Sequence, residues 1–126
     1  MTIALWCILV AALLHLPFAA AAKWSRRFDN ARPRDYLEHT QGWRKRAHWA
    51  QLNMLEAFPL FAVAVLVAHL IAGPSAQANG LALGFIAFRI AFGLAYIADR
   101  ATLRSILWFG GLFCCIGLFV VAARAA

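Results

Sequence analysis

Apolar residues run through this chain in four long blocks, residues 3–22, 47–72, 80–98 and 105–123, separated by shorter polar breaks. Each block approaches the ~20 mainly apolar residues that carry a helix across a bilayer core. None alternates with the period of two that a membrane β-strand requires. The pattern therefore predicts an all-α fold: an integral membrane four-helix bundle, formed as one domain over residues 1–126. The first block also resembles a secretory leader, with Ala19–Ala22 as a small-residue cleavage site. Leaders begin with a basic segment, and nothing basic precedes Lys23, so the block is read as a retained span.

The breaks have their own signals. Pro17 is expected to kink the first helix. Asn30–Arg34 is expected to be extended or turning, because Pro33 disfavours helix at the residue before it. Gly42 should precede a second helix that starts near Trp43 and contains Pro59, with a kink after Glu56. Gly73-Pro74-Ser75 should end that helix, and Asp99-Arg100 should turn the chain between the third and fourth.

Composition sharpens the picture. Hydrophobic residues make up 64% of the chain, against ~45–50% in soluble domains. The net charge of +7 is not a nucleic-acid footprint, because eight of the twelve Lys and Arg residues crowd into the first connection, from Lys23 to Arg46. Basic residues collect in cytoplasmic loops and are drawn to anionic lipid. The first and third connections are thus expected on the cytoplasmic face, with both termini on the other. Cys7, Cys114 and Cys115 fall inside spans. Adjacent helical residues point in different directions, so Cys114 and Cys115 form neither a metal pair nor a natural disulfide. No histidine pair has ligand spacing, and a packed or interfacial role is expected for each.

Against this background the polar residues inside the spans stand out. Glu56 is the one charged residue between Ala47 and Ala72, and Arg89 sits in the third block. A charge at the centre of a spanning helix costs about 2.5–3.5 kcal/mol on insertion scales, so such residues face protein or water and mark function. Arg46, Trp49, Asn53, Glu56 and Leu60 share one face of the second helix. Arg89, Phe92 and Tyr96, extended to Leu103, are expected to share one face of the third. Two readings follow. Glu56 and Arg89 form an inter-helix ion pair that holds the bundle, or the two faces wall a pocket for a zwitterionic or anionic ligand. Arg104 and Ser105 lie at the cytoplasmic end of the fourth helix. A guanidinium there favours the thiolate of a bound thiol, although Arg100 and Arg104 equally suit interfacial anchoring.

The stretch Ala50-Gln51-Leu52-Asn53-Met54-Leu55-Glu56-Ala57-Phe58-Pro59-Leu60-Phe61, with Arg89, Tyr96, Arg104-Ser105, Trp108 and Gly110 downstream, resembles the MAPEG family (membrane-associated proteins in eicosanoid and glutathione metabolism). Length, four blocks and a long basic first connection agree, so the resemblance covers essentially the whole chain. It implies a homotrimer that holds glutathione as co-substrate between neighbouring subunits, close to the cytoplasmic side, with lipid and a lipophilic small molecule as further partners. Asn53, Glu56, Arg89 and Tyr96 match glutathione-contacting positions, Arg46 is on a face that reaches towards them, and Arg104 with Ser105 resembles the thiolate-stabilising pair. The implied activity is conjugation of glutathione to a lipophilic electrophile or reduction of a lipid hydroperoxide. The alternative is a non-catalytic scaffold or small-ligand binder. The chain departs from the family pattern at Trp49, where many members carry arginine, and at Phe92, where several carry tyrosine or histidine. Arg100 competes with Arg104 for the family's catalytic position.

Overall fold

The computed structural model describes residues 1–126. Its helices are α1 (Ile3–Leu13), α2 (His15–Ala22), α3 (Pro33–His39), α4 (Gly42–Ala72), α5 (Ala76–Ile97) and α6 (Ala101–Ala125). Together α1 and α2 make one span, and α4, α5 and α6 make the other three. The chain is an integral, multi-pass membrane protein.

The first span breaks at Leu14, three residues before Pro17. Proline has no N–H for the carbonyl one turn back and its ring crowds that carbonyl. The His15 ring nitrogen Nδ1 meets the Ala12 carbonyl at 2.9 Å beside the break. Proline acts differently in α4, which stays one 31-residue helix through Pro59. At 1.5 Å per residue α4 is about 47 Å long, well beyond the ~30 Å hydrocarbon core. Its first turns, with Arg44, Lys45 and Arg46, therefore project into the headgroup layer.

Two boundaries differ from the sequence expectation. The first connection contains the short helix α3 just after Arg32, whose φ of −133° and ψ of 61° are non-helical as the following proline demands. Proline is then well suited to the first helical position, and Leu37 is buried against Ala22 and Ala47. Lys45 closes this packing by donating from Nζ to the carbonyls of Leu37, at 3.0 Å, and Glu38. The third helix starts at Ala76 rather than near Gly80, because Ser75 caps it by accepting from the Ala78 N–H. Apolar runs report where a helix lies in lipid, and caps report where it starts.

The turns are stereochemically explicit. Gly73 holds φ 70° and ψ −169°, a region essentially restricted to glycine. Between α5 and α6, Asp99 is left-handed at φ 58°. Its N–H donates to the Tyr96 carbonyl, and the Arg100 N–H to the Ala95 carbonyl. That pair of bonds is the Schellman C-cap, here with aspartate where glycine is usual. The chain reverses at this cap, so Leu103 lies on α6 and does not continue the Arg89–Tyr96 face.

α4 and α5 are the centre of the bundle, since each packs on the first span, on the other and on α6. Most of the core is small: Ala4, Ala64, Ala68 and Ala82 surround a parallel stack of Phe61 on Phe85, with centroids 3.9 Å apart. Without a hydrophobic drive between helices in lipid, close backbone approach through small residues is what association rests on. Gly93 is the tightest case, because a Cβ there would collide with the Phe18 ring and lie 2.8 Å from Met54 Cε. The start of the first span is tied to α5 as well, with the Ala4 N–H donating to Asn79 Oδ1 at 2.9 Å.

Candidate functional site

The polar residues of α4 and α5 meet, but not as an ion pair. Arg89 is 2% exposed and donates from Nη2 to Asn53 Oδ1 at 2.7 Å. Asn53 in turn approaches Glu56 Oε2 through Nδ2 at 3.4 Å. The expected direct Glu56–Arg89 pair is absent: the structure's one contact within 4.0 Å between a carboxylate and a basic side chain is His39–Asp35 in the first connection. Asn53 sits between the two charges because it is one turn before Glu56 on the same face and closer to α5. The ring of Phe92 lies under the Arg89 guanidinium, 4.2 Å from centroid to Cζ. Such a contact is worth roughly 2 kcal/mol when desolvated. Arg89 Nε is buried without a hydrogen-bond partner.

A second cluster lies towards the α5–α6 turn. The Arg104 guanidinium sits over the Tyr96 ring at 4.4 Å. Tyr96 is edge-on to Phe92, and its ring centroid is 6.4 Å from that of Trp49. Ser105 is beside Arg104 with its hydroxyl donating to the Ala101 carbonyl at 3.2 Å, which leaves its oxygen lone pairs free to accept. Arg100 is exposed in the turn, so the structure puts Arg104 rather than Arg100 into the cluster.

Three clefts adjoin along this seam, and Asn53 borders all of them. One, of about 270 Å³, contains Tyr96, Arg104 and Ser105. A shallower one, of about 350 Å³, runs past Trp49, Leu52 and Glu56. The third, of about 200 Å³, lies between α4 and α6 with Arg89 and Phe85 of α5 as its floor.

Of the residues singled out by sequence, Asn53, Glu56, Arg89, Tyr96, Arg104 and Ser105 are therefore gathered along one seam. Arg46 is not: its Nε donates to the Ile97 carbonyl at 3.0 Å, clamping α4 to the end of α5. The sequence pattern gave Cys115 neither a metal nor a disulfide role, singled out Trp108 only through the family resemblance, and did not mark Gly111 as a site residue. All three line the third cleft. The spacing Arg104, Trp108, Gly111, Cys115 follows i, i+4, i+7, i+11 and was visible as one helical face.

Four spans around a polar, aromatic-lined seam define a multi-pass membrane protein with a ligand-sized site at the α4–α5–α6 junction. A model of the MAPEG family matches residues 3–124. The chain belongs to that family of membrane proteins of glutathione and eicosanoid metabolism. No curated protein matches it significantly.

Proposed function

We propose that this protein binds glutathione along the seam and transfers it to a lipophilic electrophile or uses it to reduce a lipid hydroperoxide. The observation that carries this reading is Arg104, held over Tyr96 beside Ser105 in a cleft whose far wall is Asn53. The residues fit the tripeptide's charges: its carboxylates need guanidinium or amide donors, which Arg104 and Asn53 offer, and its ammonium needs a carboxylate. Glu56 offers one, exposed on the outer face of α4 and held only by the long contact from Asn53.

Glutathione supplies a nucleophilic thiol. The chain's contribution is electrostatic: Arg104 stabilises the deprotonated sulfur, and the Tyr96 ring beneath fixes the guanidinium in place. Preorganised donors of this kind are worth most where water is excluded. Arg89 is too deep to serve the tripeptide directly and acts as a positioning residue, orienting the Asn53 amide. Arg46 is a second positioning residue, through α5. The bilayer delivers the hydrophobic partner.

A homotrimer is part of the proposal. Leu52, Leu55, Val63, Leu66 and Leu70 are exposed on α4, and Glu56 lies among them. A carboxylate facing lipid is costly, and a second copy covering this face removes that cost. We place the basic first connection on the cytoplasmic side.

Titration calorimetry of the purified protein in detergent tests binding, and the absence of heat at millimolar glutathione rejects it. Arg46 favours a second reading, a non-catalytic binder with the same fold, because this arginine is engaged by the Ile97 carbonyl rather than by the clefts. That reading expects binding without turnover of an aryl halide.

A further inference from the structure

Away from the seam, the first connection folds into a polar cleft of about 490 Å³ between α3 and the start of α4. It shares no residue with the three clefts around Asn53. Ser25, Tyr36, Thr40 and Arg44 are half-buried in its walls, and Arg27, which also lines it, is exposed. Arg44 is held in place: Nε donates to the Trp24 carbonyl at 2.6 Å, and the guanidinium lies 4.7 Å from the centroid of the Trp43 ring. Both tryptophans are exposed, as interfacial anchors are, which sets the cleft at the depth of lipid headgroups.

Tyr36 is the centre of the cluster. Its ring is edge-on to Phe28, with centroids 5.2 Å apart. Hydrogen bonding from Ser25, the largest cause, holds its hydroxyl below the ordinary tyrosine value, against the opposing effect of burial. Thr40 and the charges of Arg44 and Arg27 act in the same direction. A more acidic phenol donates a stronger hydrogen bond to an anion. The one acid lining the cleft, Asp35, lies 3.5 Å from His39 Nδ1 on its own helix, and neither arginine has a carboxylate within 4.0 Å. Two guanidiniums without a carboxylate partner and an acidified phenol thus border one cavity.

We infer that this cleft binds a phosphate with three free oxygens, either the headgroup of a phosphomonoester lipid or inorganic phosphate, between Arg27, Arg44 and the Tyr36 hydroxyl. The donors select the ligand. Three donor groups match the three acceptor oxygens of a phosphomonoester, and two arginines oppose its charge of about −1.5 to −2. A phosphodiester has one negative charge and two free oxygens, and a carboxylate has two oxygens in one plane, so each leaves a donor unmet. The volume is within the ~300–1,000 Å³ of small-molecule sites and admits a headgroup with its glycerol.

Titration calorimetry of the full chain in dodecyl maltoside, without glutathione and corrected for heat into empty micelles, tests this. The probes are dioctanoyl phosphatidic acid, dioctanoyl phosphatidylglycerol and inorganic phosphate. One phosphatidic acid is expected to bind per chain, about tenfold tighter than phosphatidylglycerol. Arg27→Gln should weaken it about tenfold and Tyr36→Phe about threefold. The phenylalanine keeps the ring against Phe28, so that loss is not one of folding. Arg34→Gln removes the same charge from the same connection outside the cleft and should change binding by less than about twofold. Inorganic phosphate that binds as tightly as the lipid, with the same dependence on Arg27 and Tyr36, supports the site with the soluble ion as its source; weaker phosphate binding supports it with the lipid as its source. Equal weakening by Arg34→Gln, equal affinity for phosphatidylglycerol, or indifference to both Arg27→Gln and Tyr36→Phe overturns the proposal. Glutathione binding at the seam is read in a separate titration, so either site can fail without the other.

Discussion

Arg89 reaches from α5 to α4 and donates a hydrogen bond from Nη2 to the amide oxygen of Asn53, 2.7 Å away. This bond joins two helices through a charged donor and a neutral acceptor. Asn53→Ala leaves Arg89 buried with no partner on Nη2 or Nε, and the expected loss is about 1–3 kcal/mol. Asn53→Asp keeps an acceptor and adds the opposite charge, so it should melt closer to the parent protein. Thermal unfolding in one detergent compares the three, and equal melting of the alanine and aspartate variants contradicts the bond's importance.

Gly93→Ala should destabilise the bundle, because the new methyl group meets the Phe18 ring and Met54. Overpacking of this kind costs about 1–3 kcal/mol. The double variant Gly93→Ala with Phe18→Ala should lose less than the sum of the two single changes, since Phe18→Ala removes the ring that the new methyl group meets and the methyl group occupies part of the space the ring leaves. Simple additivity in a double-mutant cycle would mean that the first span does not pack on α5 as described.

Lys45→Ala removes the ammonium that holds the end of α3 to α4. The first connection should then open locally while the spans persist. Limited trypsin digestion after Arg34 is expected to quicken severalfold, with helical content by circular dichroism unchanged. A cleavage rate equal to that of the parent would dissociate Lys45 from the anchoring of α3.

On the transferase reading, Arg104→Ala lowers kcat by about 10²–10³-fold, the scale of a removed preorganised donor. Glutathione affinity should fall much less, because stabilisation of the reacting sulfur appears mainly in the chemical step. Arg100→Ala, in the exposed turn, should change neither. Steady-state conjugation of an aryl halide, together with calorimetry, separates these outcomes.

The spans were legible because hydropathy over twenty residues averages out local detail. The flagged polar residues were legible because a charge in lipid demands a reason. What pairs with what was not. Glu56 and Arg89 have opposite charges on facing helices, and only side-chain reach and helix rotation show that Asn53 stands between them. The helical wheel gave Arg46 the right face, but not the backbone carbonyl that engages it. The seven-residue helix α3 lacks a periodic apolar stripe and is fixed by Leu37 and the Lys45 contacts, which are tertiary. Cys115 was passed over because neighbouring cysteines were weighed against each other rather than against Arg104, Trp108 and Gly111 along α6.

Consecutive residues at the start of α4 grip opposite neighbours: Lys45 takes hold of α3, and Arg46 takes hold of the last turn of α5. The headgroup-side rim of the seam is thereby stapled on two flanks. On the transferase reading, an oily co-substrate therefore reaches the seam sideways, by two-dimensional diffusion within the leaflet, rather than down through this fastened rim.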